Sequence, residues 1–98
     1  MIVRIVKMTF LPEAINDFTK LFEERKQQIR HFEGCRHLEL WQDAHEQNVF
    51  FTYSHWESEA HLDHYRFSNF FKDTWARTKA LFSDKPLAWS VAQKVIVI

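Results

Sequence analysis

Residues 48–71, NVFFTYSHWESEAHLDHYRFSNFF, constrain the fold more than any other stretch of this chain. A run of β-branched and aromatic residues from Val49 to Trp56 predicts a β-strand. Ser58 then suits a helix N-cap, and the residues after it predict a helical turn. A strand that leads directly into a helix creates a corner between sheet and helix. Chemically versatile side chains gather at this corner: His55, Trp56, His61, His64 and Tyr65.

Length and charge exclude several classes of protein. The 98 residues predict a single domain, residues 1–98. The 13 basic and 13 acidic residues cancel, which argues against nucleic acid and against a polybasic membrane contact. No apolar run approaches the ~20 residues of a membrane span, and the first residues lack a signal-peptide pattern. Because a lone Cys35 suits a reducing compartment, we expect a cytoplasmic protein.

The periodicity of the whole chain predicts the element order β-α-β-β-α-β. Alternation predicts strands over 2–10, 36–42, 49–56 and 87–98. Helical spacing predicts a helix over 13–30 and further helical turns over 58–65 and from Ser68 to about 82. The only glycine, Gly34, should end the first helix in a left-handed conformation. The order indicates an α+β, ferredoxin-like βαββαβ fold: a four-stranded antiparallel sheet with helices on one face.

Both faces of this sheet are predicted to be apolar. On the third strand Phe50 and Trp56 fall on one face, while Phe51 and Tyr53 fall on the other. Two helical segments cover only one face, and a soluble monomer rarely exposes a large apolar patch. We therefore predict a homodimer whose sheets pack against each other with two-fold symmetry, forming a barrel.

Several motifs resemble the antibiotic biosynthesis monooxygenase (ABM) family. They are F-E-G-C at 32–35, W-E-S-E-A at 56–60, and Ser68 with Phe71, which is similar to the family's S-x-x-F. The resemblance implies a dimeric α/β barrel. It also implies a monooxygenase that oxidises phenol- or quinol-type small aromatics with molecular oxygen, without metal or flavin.

The resemblance transfers only in part at individual positions. Trp56 matches the tryptophan of the polyketide-oxidising branch, whereas Thr52 replaces its asparagine and Leu62 replaces its tyrosine. The haem-degrading branch needs an asparagine on the first strand, a helical tryptophan and a histidine. This chain has no asparagine there, and it has Tyr65 and Trp75 at the other two positions, so the resemblance argues against haem degradation.

The candidate site combines bases with an aromatic pocket. His61 and His64 lie three residues apart on one side of a helix, and an imidazole can take a proton from a phenol, so they are the candidate catalytic bases. Five residues are candidates for substrate binding: Trp56, Thr52, Tyr65, Phe71 and Trp75. Three histidines without paired carboxylates do not form a metal-site pattern, and we expect no metal or cofactor.

Each candidate also has an ordinary structural explanation. Histidines occur on the surface of amphipathic helices, and aromatic residues at helical spacing usually form core. The loss of polar family residues at Thr52 and Leu62 favours a second hypothesis, a non-catalytic small-molecule-binding or stress-response dimer of the same fold. A third is a barrel with a filled interior. A closed cavity beside Trp56 with a histidine pointing into it would favour the first hypothesis, and solid packing there would favour the third.

Overall fold

The computed structural model describes residues 1–98. Its elements, in chain order, are β1 (Ile2–Thr9), a 3-10 turn (Pro12–Ala14), α1 (Ile15–Arg30), β2 (Cys35–Gln42), β3 (Val49–Trp56), α2 (Glu59–Arg66), α3 (Asn69–Lys79) and β4 (Leu87–Val91). The four strands form one antiparallel sheet in the order β2-β3-β1-β4. The predicted α+β, ferredoxin-like fold is confirmed.

The predicted helix boundaries have their expected chemical basis. The side-chain oxygen of Ser58 accepts a hydrogen bond from the backbone N–H of His61, and that of Ser68 accepts one from Phe71. Gly34 has φ +88°, the predicted left-handed conformation. A Cβ atom at this glycine would lie 2.5 Å from the Cβ of His61. The turn before β2 therefore needs a glycine both for its backbone angle and for the close approach of α2.

The last strand is shorter than the sequence predicts. It pairs with β1 only as far as Val91, which lies opposite Val3. The next residues run past the beginning of β1, whose first paired residue is Ile2, so no strand remains to accept their hydrogen bonds. The prediction of a strand was therefore wrong for residues 92–98, and the apolar side chains of residues 95–98 are exposed.

The helices cover one face of the sheet, which we call the inner face. Two groups of buried side chains lie near opposite ends of its strands. The phenylalanine cluster contains Met8, Phe10, Phe18 and Phe50. The tryptophan cluster contains Ile29, Cys35, Trp56, Leu62 and Tyr65. The prediction that the first strand extends to Phe10 holds only as an isolated bridge, Phe10 to Phe82, beyond β1.

The other face, the outer face, has no helix packed on it. The register places three cross-strand rows on it: Trp41, Phe51, Lys7 and Leu87; Glu39, Tyr53, Ile5 and Trp89; and His37, His55, Val3 and Val91. Trp89 is 44% exposed and Trp41 is 39% exposed. The predicted apolar character of both sheet faces is therefore present in the structure.

Candidate functional site

A cavity of about 270 Å³ lies between the inner face and the helices. Its lining is mainly apolar and comes from strands β1 to β4 and from all three helices. Sites for drug-sized ligands span about 300–1,000 Å³, so this volume suits a ligand of one or two fused rings. The interior of the fold is therefore open beside Trp56.

Four aromatic side chains form a continuous wall of the cavity, which we call the aromatic wall. Tyr65 stacks on Trp56 with ring centroids 4.8 Å apart and planes 24° apart. The rings of Tyr65 and Phe71 meet edge to face with centroids 5.0 Å apart, and Trp75 stacks on Phe71 at 5.9 Å. Since flat rings pack well against such surfaces, the wall is suited to an aromatic ligand.

A hydrogen bond to the neighbouring part of β3 fixes the orientation of Trp56 in this wall. Its side chain is 1% exposed, and its Nε1 donates a hydrogen bond to Oγ of Ser54 at 3.0 Å. A buried indole N–H needs such a partner, because leaving it unpaired costs about 1–3 kcal/mol. The indole ring therefore presents a surface of fixed orientation to the cavity.

The five predicted substrate-binding residues all contribute to the lining. Thr52, on β3, joins the four residues of the aromatic wall. Burial raises the pKa of Tyr65, so its phenol stays protonated at neutral pH and cannot serve as a base. The sequence therefore predicted which residues meet at this place, although their role in binding stays a prediction.

The two predicted bases lie elsewhere. His61 and His64 border a shallow depression with Glu33 and Ala60, separate from the cavity. The Nδ1 atom of His61 is 2.7 Å from Oγ of Ser58, and its Nε2 atom is 3.6 Å from a carboxylate oxygen of Glu57. The structure does not bring either imidazole to the aromatic wall, and their catalytic role stays a prediction.

Polar groups in the lining are hydroxyls and guanidinium groups. The hydroxyl side chains, in addition to Tyr65, are Thr52, Ser54, Thr74 and Thr78, and the charged ones are Arg4 and Arg66. Histidine, aspartate and glutamate are absent from the lining. The cavity can therefore donate hydrogen bonds and stabilise negative charge, but it lacks an ordinary proton acceptor.

The sequence analysis did not single out Arg4 and Arg66. For Arg4 a signal existed, because it interrupts the apolar series Ile2, Val6 and Met8 on one side of a strand. For Arg66 there was none, because its position depends on how α2 packs over the sheet. An isolated charge on an inward strand face is therefore a useful marker of a site.

Cys35 and the surface histidines do not form a further chemical centre. The thiol of Cys35 is buried, and burial raises its pKa, which disfavours the nucleophilic thiolate. No three histidine, cysteine, aspartate or glutamate side chains are arranged to hold a metal ion. Each helix is too short or too polar to cross a membrane.

Comparison with known proteins identifies the family. The family model for antibiotic biosynthesis monooxygenase matches residues 1–77. This chain belongs to the antibiotic biosynthesis monooxygenase family. The ABM resemblance inferred from the W-E-S-E-A and S-x-x-F motifs is therefore confirmed.

Solved structures share the fold of this chain. An antibiotic biosynthesis monooxygenase is 20% identical, with a TM-score of 0.90 over 97% of this chain and 100% of that chain. A conserved protein of Methanosarcina mazei is 20% identical, with a TM-score of 0.88 over 96% and 94% of the two chains. A protein of Mycobacterium tuberculosis is 18% identical, with a TM-score of 0.87 over 99% and 98%. At these identities the likeness shows the shared fold. No curated protein matches the chain.

Proposed function

We propose that this chain is a cofactor-independent monooxygenase that uses molecular oxygen to oxidise a phenol- or quinol-type small aromatic. The observation that carries the proposal is the cavity of about 270 Å³ with the aromatic wall of Trp56, Tyr65, Phe71 and Trp75. Membership of the ABM family supports the reaction class. The volume and the flat wall support the substrate class.

A quinol can supply every electron that this reaction needs. A hydroquinone anion passes an electron to oxygen, and a bond forms between a ring carbon and oxygen to give a hydroperoxide. Loss of the proton on that carbon breaks the O–O bond and releases water, leaving a hydroxyquinone. One oxygen atom enters the product and the other becomes water, so no external reductant is required. The protein needs only to orient the ring, exclude water and favour the anion.

The lining also supports a second candidate function. The lining contains no histidine or carboxylate, so His61 and His64 have no step inside the cavity. The substrate ring therefore enters the cavity already as its anion. The same lack of a proton acceptor favours a non-catalytic small-molecule-binding or stress-response dimer. In that case the cavity binds the aromatic compound and oxygen is not consumed.

Filling the cavity tests both candidates. In Thr52→Phe the new ring occupies the cavity from the central strand β3, and we expect at least a tenfold loss of oxygen uptake across a panel of quinols. Thr19→Phe is the matched control, because Thr19 is exposed on α1 and outside the lining. Thermal melting confirms that both variants fold.

Three results separate the hypotheses. Uptake by the wild type and by Thr19→Phe, but not by Thr52→Phe, supports the monooxygenase. Saturable quinol binding that Thr52→Phe abolishes, without oxygen uptake by any variant, supports the binding protein. Equal uptake by all three proteins would place the reaction outside this cavity.

We also propose that the protein is a homodimer joined through the outer face. Trp41 of β2 and Leu87, Trp89 and Val91 of β4 are exposed there, at the two edges of the sheet. The three cross-strand rows of the outer face span the sheet, and a second copy is the simplest partner because a two-fold axis lets the same face cover itself. The exposed residues 95–98 would extend such an interface. Sedimentation equilibrium should give about twice the chain mass of 11.9 kDa, and a monomer at micromolar concentration would contradict the proposal.

A further inference from the structure

Two arginines border the cavity without a carboxylate in the lining to neutralise them. Arg4 points inward from β1, and its Nη1 atom donates a hydrogen bond to Oγ of Ser90 at 3.0 Å. Arg66 is the last residue of α2, and one of its guanidinium nitrogens is 3.9 Å from a carboxylate oxygen of Asp63, outside the lining. The lining therefore has two positive charges, and the nearest carboxylate, that of Asp63, lies beside Arg66 outside it.

This arrangement differs from that of three other arginines, whereas Arg30 also has a neutral partner, the backbone oxygen of Cys35. Arg25 and Arg77 both contact the carboxylate of Asp73, and Arg36 contacts Glu57. Arg4 contacts only a neutral hydroxyl. Burial lowers its pKa, the positive charge of Arg66 lowers it further, and Asp63 acts in the opposite direction. An arginine nevertheless stays protonated at neutral pH, so the excess positive charge remains.

The register connects this charge to the aromatic wall. Arg4 lies directly opposite Ser54 on the neighbouring strand. The hydroxyl of Ser54 is the group that accepts the hydrogen bond of Trp56. Arg4 therefore lies on the strand position next to the residue that fixes Trp56, and both Arg4 and Trp56 line the same cavity.

We propose that the cavity takes a small aromatic carboxylic acid as its anion, with one or two fused rings on the aromatic wall and the carboxylate held by Arg4 and Arg66. The planar guanidinium group can bind a carboxylate with two parallel hydrogen bonds. An aromatic ring and a carboxylate attached to it can lie in one plane, so the whole ligand can lie flat beside Trp56. This inference rests on the proposed function, because it names the substrate class of the same cavity.

Binding of unreactive ligands tests the proposal independently of catalysis. Isothermal titration calorimetry under nitrogen compares 2-naphthoate with 2-naphthamide, a neutral molecule of nearly the same shape, on the full chain. We expect 2-naphthoate to bind at least tenfold more tightly, which corresponds to about 1.4 kcal/mol, because only the anion forms charge-assisted hydrogen bonds with the guanidinium groups. Its affinity should also fall as salt is added, whereas that of 2-naphthamide should not.

Substitutions of Arg4 and Arg66 test whether these two residues cause the preference for 2-naphthoate over 2-naphthamide. Arg4→Gln should remove at least tenfold of the preference for 2-naphthoate and leave the affinity for 2-naphthamide unchanged, and Arg4→Lys should restore part of it. Arg66→Gln, at a more exposed position, is a second variant that leaves the core intact. Arg77→Gln is the matched control, since Arg77 lies outside the lining and should change neither affinity.

The outcomes that overturn the proposal are distinct from those that overturn the monooxygenase. Equal affinities for the two ligands, an unchanged preference in both Arg4→Gln and Arg66→Gln, or no binding of benzoate or 2-naphthoate at millimolar concentration would each overturn it. Tighter binding of 2-naphthol than of 2-naphthoate would also overturn it, because a neutral phenol would then be the preferred ligand. If the carboxylate preference holds but oxygen uptake is absent for quinols with and without a carboxylate, only the proposed oxidation fails.

Discussion

Thr52 and Tyr53 are neighbours on β3, yet their side chains lie on opposite faces of the sheet, and the two faces have different surroundings. Thr52 borders a cavity that the helices enclose, whereas Tyr53 lies among aromatic side chains that no helix covers. Both faces are rich in aromatic residues, so apolar character alone does not distinguish them. What distinguishes them is the element that packs on each face: helices leave a ligand-sized space, and the bare face favours a second sheet.

The polar groups of the two faces also differ in how they are satisfied. On the outer face, Nε1 of Trp41 donates to one carboxylate oxygen of Glu39 at 2.8 Å, His37 contacts the other oxygen, and both hold the pKa of Glu39 below its usual range. Nε2 of His55 is 2.7 Å from the hydroxyl of Tyr53. On the inner face Arg4 has only a hydroxyl partner within the chain. The outer network is complete within one chain, whereas the inner face has bonding capacity left for a ligand.

The largest expected effect comes from the solidly packed end of the inner face. Phe10 is fully buried and stacks on Phe18 with centroids 4.1 Å apart. We expect Phe10→Ala to lower the free energy of unfolding by about 3–5 kcal/mol, because it leaves a cavity in the phenylalanine cluster. Phe67→Ala, at a side chain that is 70% exposed, should cost less than about 0.5 kcal/mol. Urea denaturation measures both, and similar losses would show that the phenylalanine cluster is not the packed core described above.

A charge on the outer face should break the proposed dimer without emptying the cavity. Trp89→Glu places a carboxylate in the row formed by Tyr53, Ile5 and Trp89, and we expect the dissociation constant of the dimer to rise at least a hundredfold. Ala76→Glu adds the same charge on an exposed position of α3 and should leave the dimer intact. Sedimentation at several concentrations compares the two. A Trp89→Glu protein that remains as dimeric as the control would mean that the outer face is not the interface.

The smallest expected effect is a pH dependence that comes from the outer face. Burial lowers the pKa of His55 below its ordinary 6.5, the charge of His37 lowers it further, and Glu39 opposes both. The unfolded chain therefore binds a proton at a higher pH than the folded chain. This contribution to stability is complete above about pH 6.5 and is lost as the pH falls through that value.

Removing the imidazole should remove this contribution. His55→Gln is expected to show a smaller loss of urea stability than the wild type between about pH 7.5 and about pH 5.5. His45→Gln, in an exposed turn, should keep the wild-type slope. A steeper slope in His55→Gln would mean that folding raises the pKa of His55 instead of lowering it.

Local signals predicted the fold and five residues of the cavity lining, including the whole aromatic wall. Strand alternation, the serine caps and Gly34 depend on neighbouring residues, so they predicted the ferredoxin-like fold correctly, although the second helical region is two helices, α2 and α3. The position of the histidines depends on helix rotation, which spacing alone does not give. Leu62 and Tyr65 face inward on α2, and at about 100° per residue this turns His61 and His64 aside. The end of β4 and the approach of Arg66 depend on long-range register, which no local pattern contains.

The approach of α2 to Gly34 has a consequence for engineering. A library that reshapes the ligand space can vary Thr52, Thr74 and Thr78, whose side chains border it. Position 34 offers no such freedom, because any side chain would meet both an unfavourable φ of +88° and the Cβ atom of His61. A variant there would shift the whole of α2, and with it Leu62 and Tyr65. Directed evolution of new specificity should therefore leave this single codon unchanged.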